Sequence, residues 1–316
     1  MNQTLKPVTQ EQVAPELRGK MMTVPAGVIG SGMGRWVLRG IMKMMRGKAH
    51  EGVKVETRTT EGGVALRIYT PEGGGNGAAL LWIHGGGLVI GSAMQDDQFC
   101  ADTARELGIV VVSTDYRLAP DFPFPAALDD CHAAWTWLQR SAAALGVDPV
   151  RVAIGGQSAG GGLAASLAQR IHDAGGVQPM AQWLFCPMLD DRTEARQELD
   201  AVGHFVWNNR SNRVGWSGYL GGAVGAEHVP EYAVPARRGD LRGLPPAWIG
   251  TGDIELFFDE DKAYAERLTK AQVDCMLDVV VGAPHGFESM ASGTPMAQAY
   301  LARARAWLGE QLGHGE

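Results

Sequence analysis

"VAIGGQSAGGG", residues 152–162, carries an apolar stretch into a run of glycines with a single serine, Ser158, in its middle. "RVAIGG" (151–156) reads as a buried strand, and "SAGGGLAASLAQRIHDAGG" reads as a helix closing on Gly175 and Gly176. Ser158 therefore stands at the strand-to-helix turn of Gly156-Gln157-Ser158-Ala159-Gly160. A nucleophile needs such a sharp, strained turn to expose its hydroxyl, and small residues two before and two after keep neighbours clear of it. With 43 Gly among 316 residues a bare G-x-S-x-G is weak by itself, and the strand-turn-helix setting is what gives it weight. A dinucleotide-binding glycine loop is the competing reading; no G-x-G-x-x-G register exists here and no acidic residue follows at the required distance.

Working outward, strand-like runs occur at 53–60, 64–70, 79–84, 109–116, 151–156, 182–187, 246–251 and 276–281. Helical stretches lie near 96–107, 125–144, 159–173, 259–271 and 295–312. "EGG" joins the first two strands as a hairpin, and the remaining strands alternate with helices. This order predicts an α/β fold: an eight-stranded, mostly parallel sheet with helices on both faces and an antiparallel start. Two segments break the alternation. Residues 1–50 hold the apolar helical pattern "GRWVLRGIMKMMRGK", and 190–235 form a long insertion of the kind that carries its own structure, such as a lid. Both are assigned to a helical cap, an N-terminal segment and an insertion, over a main domain of 51–189 and 236–316.

Composition narrows the function classes. A chain of 316 residues, 45% hydrophobic, can bury a large core, and a net charge of −7 argues against a nucleic-acid partner. No stretch approaches a membrane span, and the first twenty residues lack a secretory pattern, so a cytoplasmic protein without an integral membrane segment is expected. Cys100, Cys131, Cys186 and Cys275 are far apart and form no C-x-x-C pair, which indicates neither a metal site nor a disulfide framework. A homodimer is compatible with the sequence but not required by it.

A second glycine cluster, "WIHGGGLVIGS" (82–92), follows the third strand. Acyl transfer develops an oxyanion, which backbone N–H groups stabilise best when no side chain intervenes. His-Gly-Gly-Gly is the lipase and esterase form of such a donor loop, while a P-loop is excluded by the missing Gly-Lys-Ser/Thr. Serine also needs a base, and the base an orienting carboxylate, in the chain order Ser, Asp/Glu, His. After Ser158, His172 lies on the helix behind the serine, His204 and His228 fall in the insertion, and His314 is in the tail. His285 alone follows a strand, in the loop of "MLDVVVGAPHGFE". The acid is expected in "GDIELFFDED"; Asp259, Glu260 and Asp261 suit a helix N-terminus, leaving Asp253 and Glu255, between which residue chemistry does not decide.

"HGGG", "STDYRLAPDFPFPAALDD", "GGQSAGGGLAA", "GDIELFFDEDKAYAERL" and "APHGF", in that order, resemble the hormone-sensitive-lipase-like esterases (bacterial family IV) of the α/β-hydrolase superfamily. The resemblance runs from about residue 53 to the C-terminus. It implies Ser158 as nucleophile, His285 as base and Glu255, usually Asp in the family, as acid. It also implies an oxyanion hole from the amides of Gly86, Gly87 and Ala159, with Gly85 shaping the turn. Gln157 departs from the Asp or Thr of many relatives. In the Pro-rich stretch Arg117 is expected to pair with Asp115 in a structural role.

The sequence thus reads as a serine carboxylesterase acting on small ester substrates without cofactor or metal. An amidase or peptidase would share the machinery, and a non-catalytic ligand-binding protein of the same fold would be expected to lack part of the triad. Short- to medium-chain acyl groups are expected, limited by the cap. Met21, Met22, Met33, Met42, Met44, Met45, Phe205, Trp207, Trp216 and Tyr219 are suited to lining an adaptable apolar pocket or to packing the cap.

Overall fold

The computed structural model of the chain describes residues 6–44, 50–222 and 224–313. Its eight strands are β1 (Val53–Thr59), β2 (Ala65–Pro71), β3 (Ala79–Ile83), β4 (Val110–Asp115), β5 (Val152–Gln157), β6 (Gln182–Phe185), β7 (Ala247–Gly252) and β8 (Cys275–Val280). They form one sheet in the order β1-β2-β4-β3-β5-β6-β7-β8. β2 runs antiparallel to both neighbours and every other pairing is parallel. The hairpin expected at "EGG" is present, closed by Thr60, whose hydroxyl accepts from the Val64 amide at 3.0 Å.

Nine helices accompany the sheet among the described residues. They are α1 (Ala26–Gly30), α2 (Gly32–Met44), α3 (Asp97–Leu107), α4 (Ala126–Leu145), α5 (Ala159–Ala174), α6 (Asn209–Leu220), α7 (Phe258–Lys270), α8 (Phe287–Met290) and α9 (Pro295–Gln311). The period-two pattern of the strands sorts their side chains between two cores. Leu81, Ile83, Val112, Ile154 and Leu184 meet α4, α5 and α7 on one face. Leu80, Trp82, Val111, Trp183 and Trp248 meet α3 and α9 on the other. Burial on both faces explains why the central strands read as continuous apolar runs.

The N-terminal segment and the insertion pack on each other above the C-terminal strand ends. The Val8 amide donates to the Val202 carbonyl and the Val206 amide to the Thr23 hydroxyl, both at 2.8 Å. The helical pattern expected over 34–48 is helix to Met44; residues 45–49, with Met45, lie outside the described residues, as does His314.

One expectation needs correction. Arg117 pairs with Asp130 rather than Asp115: its guanidinium meets both Asp130 oxygens at 2.8–3.1 Å. β4 ends at Asp115, whose Oδ1 accepts from the Ala93 amide at 3.1 Å, and the chain then turns so that Arg117 falls against α4. The three acids read as a helix N-terminus do lie in the first turn of α7; Asp259 is exposed and pairs with Arg196 at 3.2 Å. Glu260 and Asp261 are buried. Glu260 accepts from the Leu189 and Asp190 amides at 2.7 and 3.1 Å and so ties the start of the insertion to α7.

Candidate active site

β5 delivers Gln157 and the chain reverses at Ser158, whose φ of 56° and ψ of −120° are strained for a residue with a side chain. The turn is held by the Ser158 amide donating to the Phe185 carbonyl at 2.8 Å. The neighbouring glycines are required by close approach: a Cβ on Gly160 would lie 2.0 Å from the Ile83 carbonyl oxygen, and one on Gly156 2.4 Å from that of Gly160. Only glycine lets β3, β5 and α5 come together tightly enough to hold the serine in this conformation.

The Ser158 hydroxyl lies 2.9 Å from His285 Nε2, and His285 Nδ1 lies 2.8 Å from Glu255 Oε2. All three are buried, at 6%, 5% and 3% exposure, and they come from three different strand ends. Thr251 donates its hydroxyl to Glu255 Oε1 at 2.7 Å, fixing the carboxylate, and Phe257 meets the imidazole edge-on at 5.3 Å. Asp253, the other candidate acid, faces away and accepts from the Gly282 amide at 2.6 Å, bracing the β7 and β8 loops. The residues left open by chemistry alone are thus separated by geometry: Glu255 reaches the imidazole and Asp253 does not.

Opposite the serine, Gly85, Gly86 and Gly87 pass along the same cavity. Ala159 opens α5, where the first amides of a helix have no intrahelical acceptor. The Gly85 carbonyl accepts from Gln95 Nε2 at 3.3 Å. Beneath this loop His84 is fully buried, stacks on Tyr116 at 4.2 Å and has its pKa lowered by burial, so it stays neutral.

The cavity over Ser158 measures about 260 Å³ and is walled largely by apolar groups, among them Met22, Val24, Met42, Ile90, Val206, Trp207 and Met290. Of the residues suited to lining it, Met22, Met42 and Trp207 do so. Trp216 and Tyr219 are instead buried in the core beneath the insertion, Met21 and Phe205 pack on the second core, and Met33 points outward. Trp207 is placed by a tight turn: its amide donates to the Phe205 carbonyl at 2.8 Å, across Val206 at a φ of 67°. A β-branched residue in this region is strained.

Sequence reasoning missed the environment of Gln157. Its amide donates to Glu288, and to the Ser289 hydroxyl at 2.8 Å, linking the serine turn to the loop that carries His285. Burial raises the pKa of Glu288, and it pushes that of Asp261 well above the usual carboxyl range, an effect to which the charge of Glu255 adds. Asp96, accepting from Trp82 Nε1 at 2.7 Å, is pushed by burial up to about 7. Nothing in the sequence marks these acids as buried, because acidic side chains are exposed by default.

A family model described as the alpha/beta hydrolase fold matches residues 80–289. The chain belongs to the α/β-hydrolase family. Within it, the chain falls in the hormone-sensitive-lipase-like branch that its motifs resemble. It is 35% identical to the carboxylic ester hydrolase LipN of Mycobacterium tuberculosis, over 72% of this α/β-hydrolase and 61% of that protein's length. It is also 35% identical to an ethyl acetate hydrolase of Pseudomonas putida, over 79% of this chain and 80% of that one. Among solved structures a bacterial heroin esterase superposes with a TM-score of 0.86 at 34% identity, covering 96% of this chain and 99% of its own. No helix among the described residues is long and apolar enough to cross a membrane.

Proposed function

We propose that this α/β-hydrolase cleaves carboxylic esters through an acyl-enzyme on Ser158, with His285 as general base and acid and Glu255 orienting it. The reading is carried by one observation, the unbroken chain from Ser158 Oγ to His285 Nε2 and from His285 Nδ1 to Glu255. As Ser158 Oγ bonds to the ester carbonyl carbon, its proton passes to Nε2 and the carbonyl oxygen takes up negative charge. The amides of Gly86, Gly87 and Ala159 stabilise that oxygen. Collapse breaks the bond to the alkoxy oxygen, which leaves as alcohol with the proton from Nε2. A water then attacks the acyl-enzyme, giving its proton to Nε2, and the carboxylic acid departs as Ser158 regains the proton. The names of the relatives, a carboxylic ester hydrolase, an ethyl acetate hydrolase and a heroin esterase, support esters over amides.

The N-terminal segment and the insertion act as the cap that limits acyl length, since Met22, Val24, Met42, Val206 and Trp207 supply much of the cavity wall. A cavity of about 260 Å³ is small beside the range for drug-sized ligands. Each methylene buried there contributes about 0.8 kcal/mol until the space is full. A cytoplasmic setting is supported by four cysteines without a disulfide. The test is kcat/KM for p-nitrophenyl acetate through palmitate: a rise with length, a maximum at short to medium chains and a fall beyond it are expected, and a maximum at palmitate would overturn the reading.

A further inference from the structure

Helix α2 is amphipathic, yet it packs with its arginines inward. Arg39 donates to the Val89 and Ala119 carbonyls at 2.9 and 2.7 Å and pairs with Asp121. Arg35 donates to the Ile29 and Gly30 carbonyls at 2.9 Å. Leu38 and Met42 fill the space beside them. The outward positions, at the spacing of one helix face, are Met33, Trp36, Val37 and Ile41, which are 72%, 72%, 42% and 57% exposed. Met22, 70% exposed, adds to the apolar surface of the same N-terminal segment. A contiguous apolar surface of this kind marks a docking site, whereas singly scattered apolar residues do not.

Charge identifies the partner. Residues 17–50 contain seven Lys or Arg and no Asp or Glu, so the net −7 of the chain divides into +7 here and −14 elsewhere. We infer that α2 and its flanking segment dock the protein on an anionic phospholipid surface, with Met33, Trp36, Val37 and Ile41 entering the boundary between headgroups and acyl chains. A basic segment presenting Trp and aliphatic residues on one helix face has the chemistry of an interfacial helix. A second copy is disfavoured as the occupant, because a two-fold contact would set this basic segment, which contains no Asp or Glu, against itself. Met22 and Met42, on the same segment, also line the cavity over Ser158, so docking brings its mouth toward the bilayer. The binding stands independently of the proposed ester chemistry.

The full chain is to be sedimented with vesicles of phosphatidylcholine alone and of phosphatidylcholine with about one third phosphatidylglycerol. Binding to the anionic vesicles is expected to be about tenfold tighter or more, and to weaken as salt is raised. The double variant Trp36→Gln/Ile41→Gln is expected to lose about tenfold in vesicle affinity. Its turnover of soluble p-nitrophenyl acetate should be unchanged, because neither side chain lines the cavity. Equal binding to both vesicle types, no binding, or a double variant that binds like the parent would each overturn the inference. So would a solution dimer that the double variant dissociates while neither form binds lipid, since the face would then belong to a second copy.

Discussion

Replacing Glu255 with Gln keeps the side-chain volume and removes the charge beside His285. Thr251 donates its hydroxyl to Oε1 at 2.7 Å, so the amide carbonyl of the variant takes that position. Its NH2 group then occupies the place of Oε2, 2.8 Å from His285 Nδ1. Two donors cannot share that contact, so the imidazole moves its proton to Nε2, and Nε2 can no longer accept from the Ser158 hydroxyl 2.9 Å away. A wrong-tautomer substitution of this type in a Ser-His-Asp enzyme costs about 10⁴ in kcat, or roughly 5.5 kcal/mol of barrier, and a loss of that order is expected here. The assay is the steady-state kcat and the pre-steady-state release of p-nitrophenol from p-nitrophenyl acetate, with thermal unfolding to verify the fold. Asp253→Asn is the control: it preserves an acceptor for the Gly282 amide and should stay within about tenfold of the parent kcat. A Glu255→Gln enzyme that keeps more than about a tenth of its kcat, or an Asp253 variant that loses more, would refute the assignment.

Two further outcomes follow from the same region. Gly87→Ala should lower kcat by about a hundredfold or more, because a Cβ there would lie 2.1 Å from the Trp207 ring and the residue's φ is 58°, so a donor to the oxyanion shifts; adding Trp207→Leu should restore part of the loss, and a fully active single variant would contradict the donor role. Asp96 keeps its proton in the folded protein to about pH 7 against a usual value of 3.8, so between those values the unfolded chain binds fewer protons and stability falls as pH rises, levelling off above 7. Asp96→Asn, which mimics the neutral acid toward Trp82, should remove that part of the decline, on the order of 4 kcal/mol in all, as read by urea unfolding across the range; an unchanged slope would show that Asp96 ionises normally.

The sheet was legible because both faces of its central strands β3 to β7 are buried, so these read as apolar runs, while the edge strand β1 reads as an alternating one. Ser158 and the glycine loop were legible for a related reason: backbones that approach within van der Waals contact exclude side chains, and the exclusion is written as glycine. The choice between Asp253 and Glu255 was not legible from chemistry, since both sit in one loop and differ only in which way the loop turns them. Arg117 escaped for the same reason, its partner Asp130 lying on the following helix rather than on its own strand. Apolar character did not tell which cap residues face the cavity. Trp207, Trp216 and Tyr219 are chemically alike, and the strained turn at Val206 is what sends the first to the site. The outward face of α2 was hidden as well, because an amphipathic pattern does not say which side is buried when arginines find backbone carbonyls beneath them.

The central claim is that one serine is the nucleophile, and covalent labelling tests it most directly. The protein is to be treated with a fluorophosphonate, its intact mass recorded and the modified peptide sequenced, alongside Ser158→Ala. A single adduct on Ser158, loss of esterase activity in step with its formation, and a folded Ser158→Ala protein that is neither labelled nor active are the results expected. An adduct on another residue, with ester hydrolysis surviving in Ser158→Ala, would contradict the account.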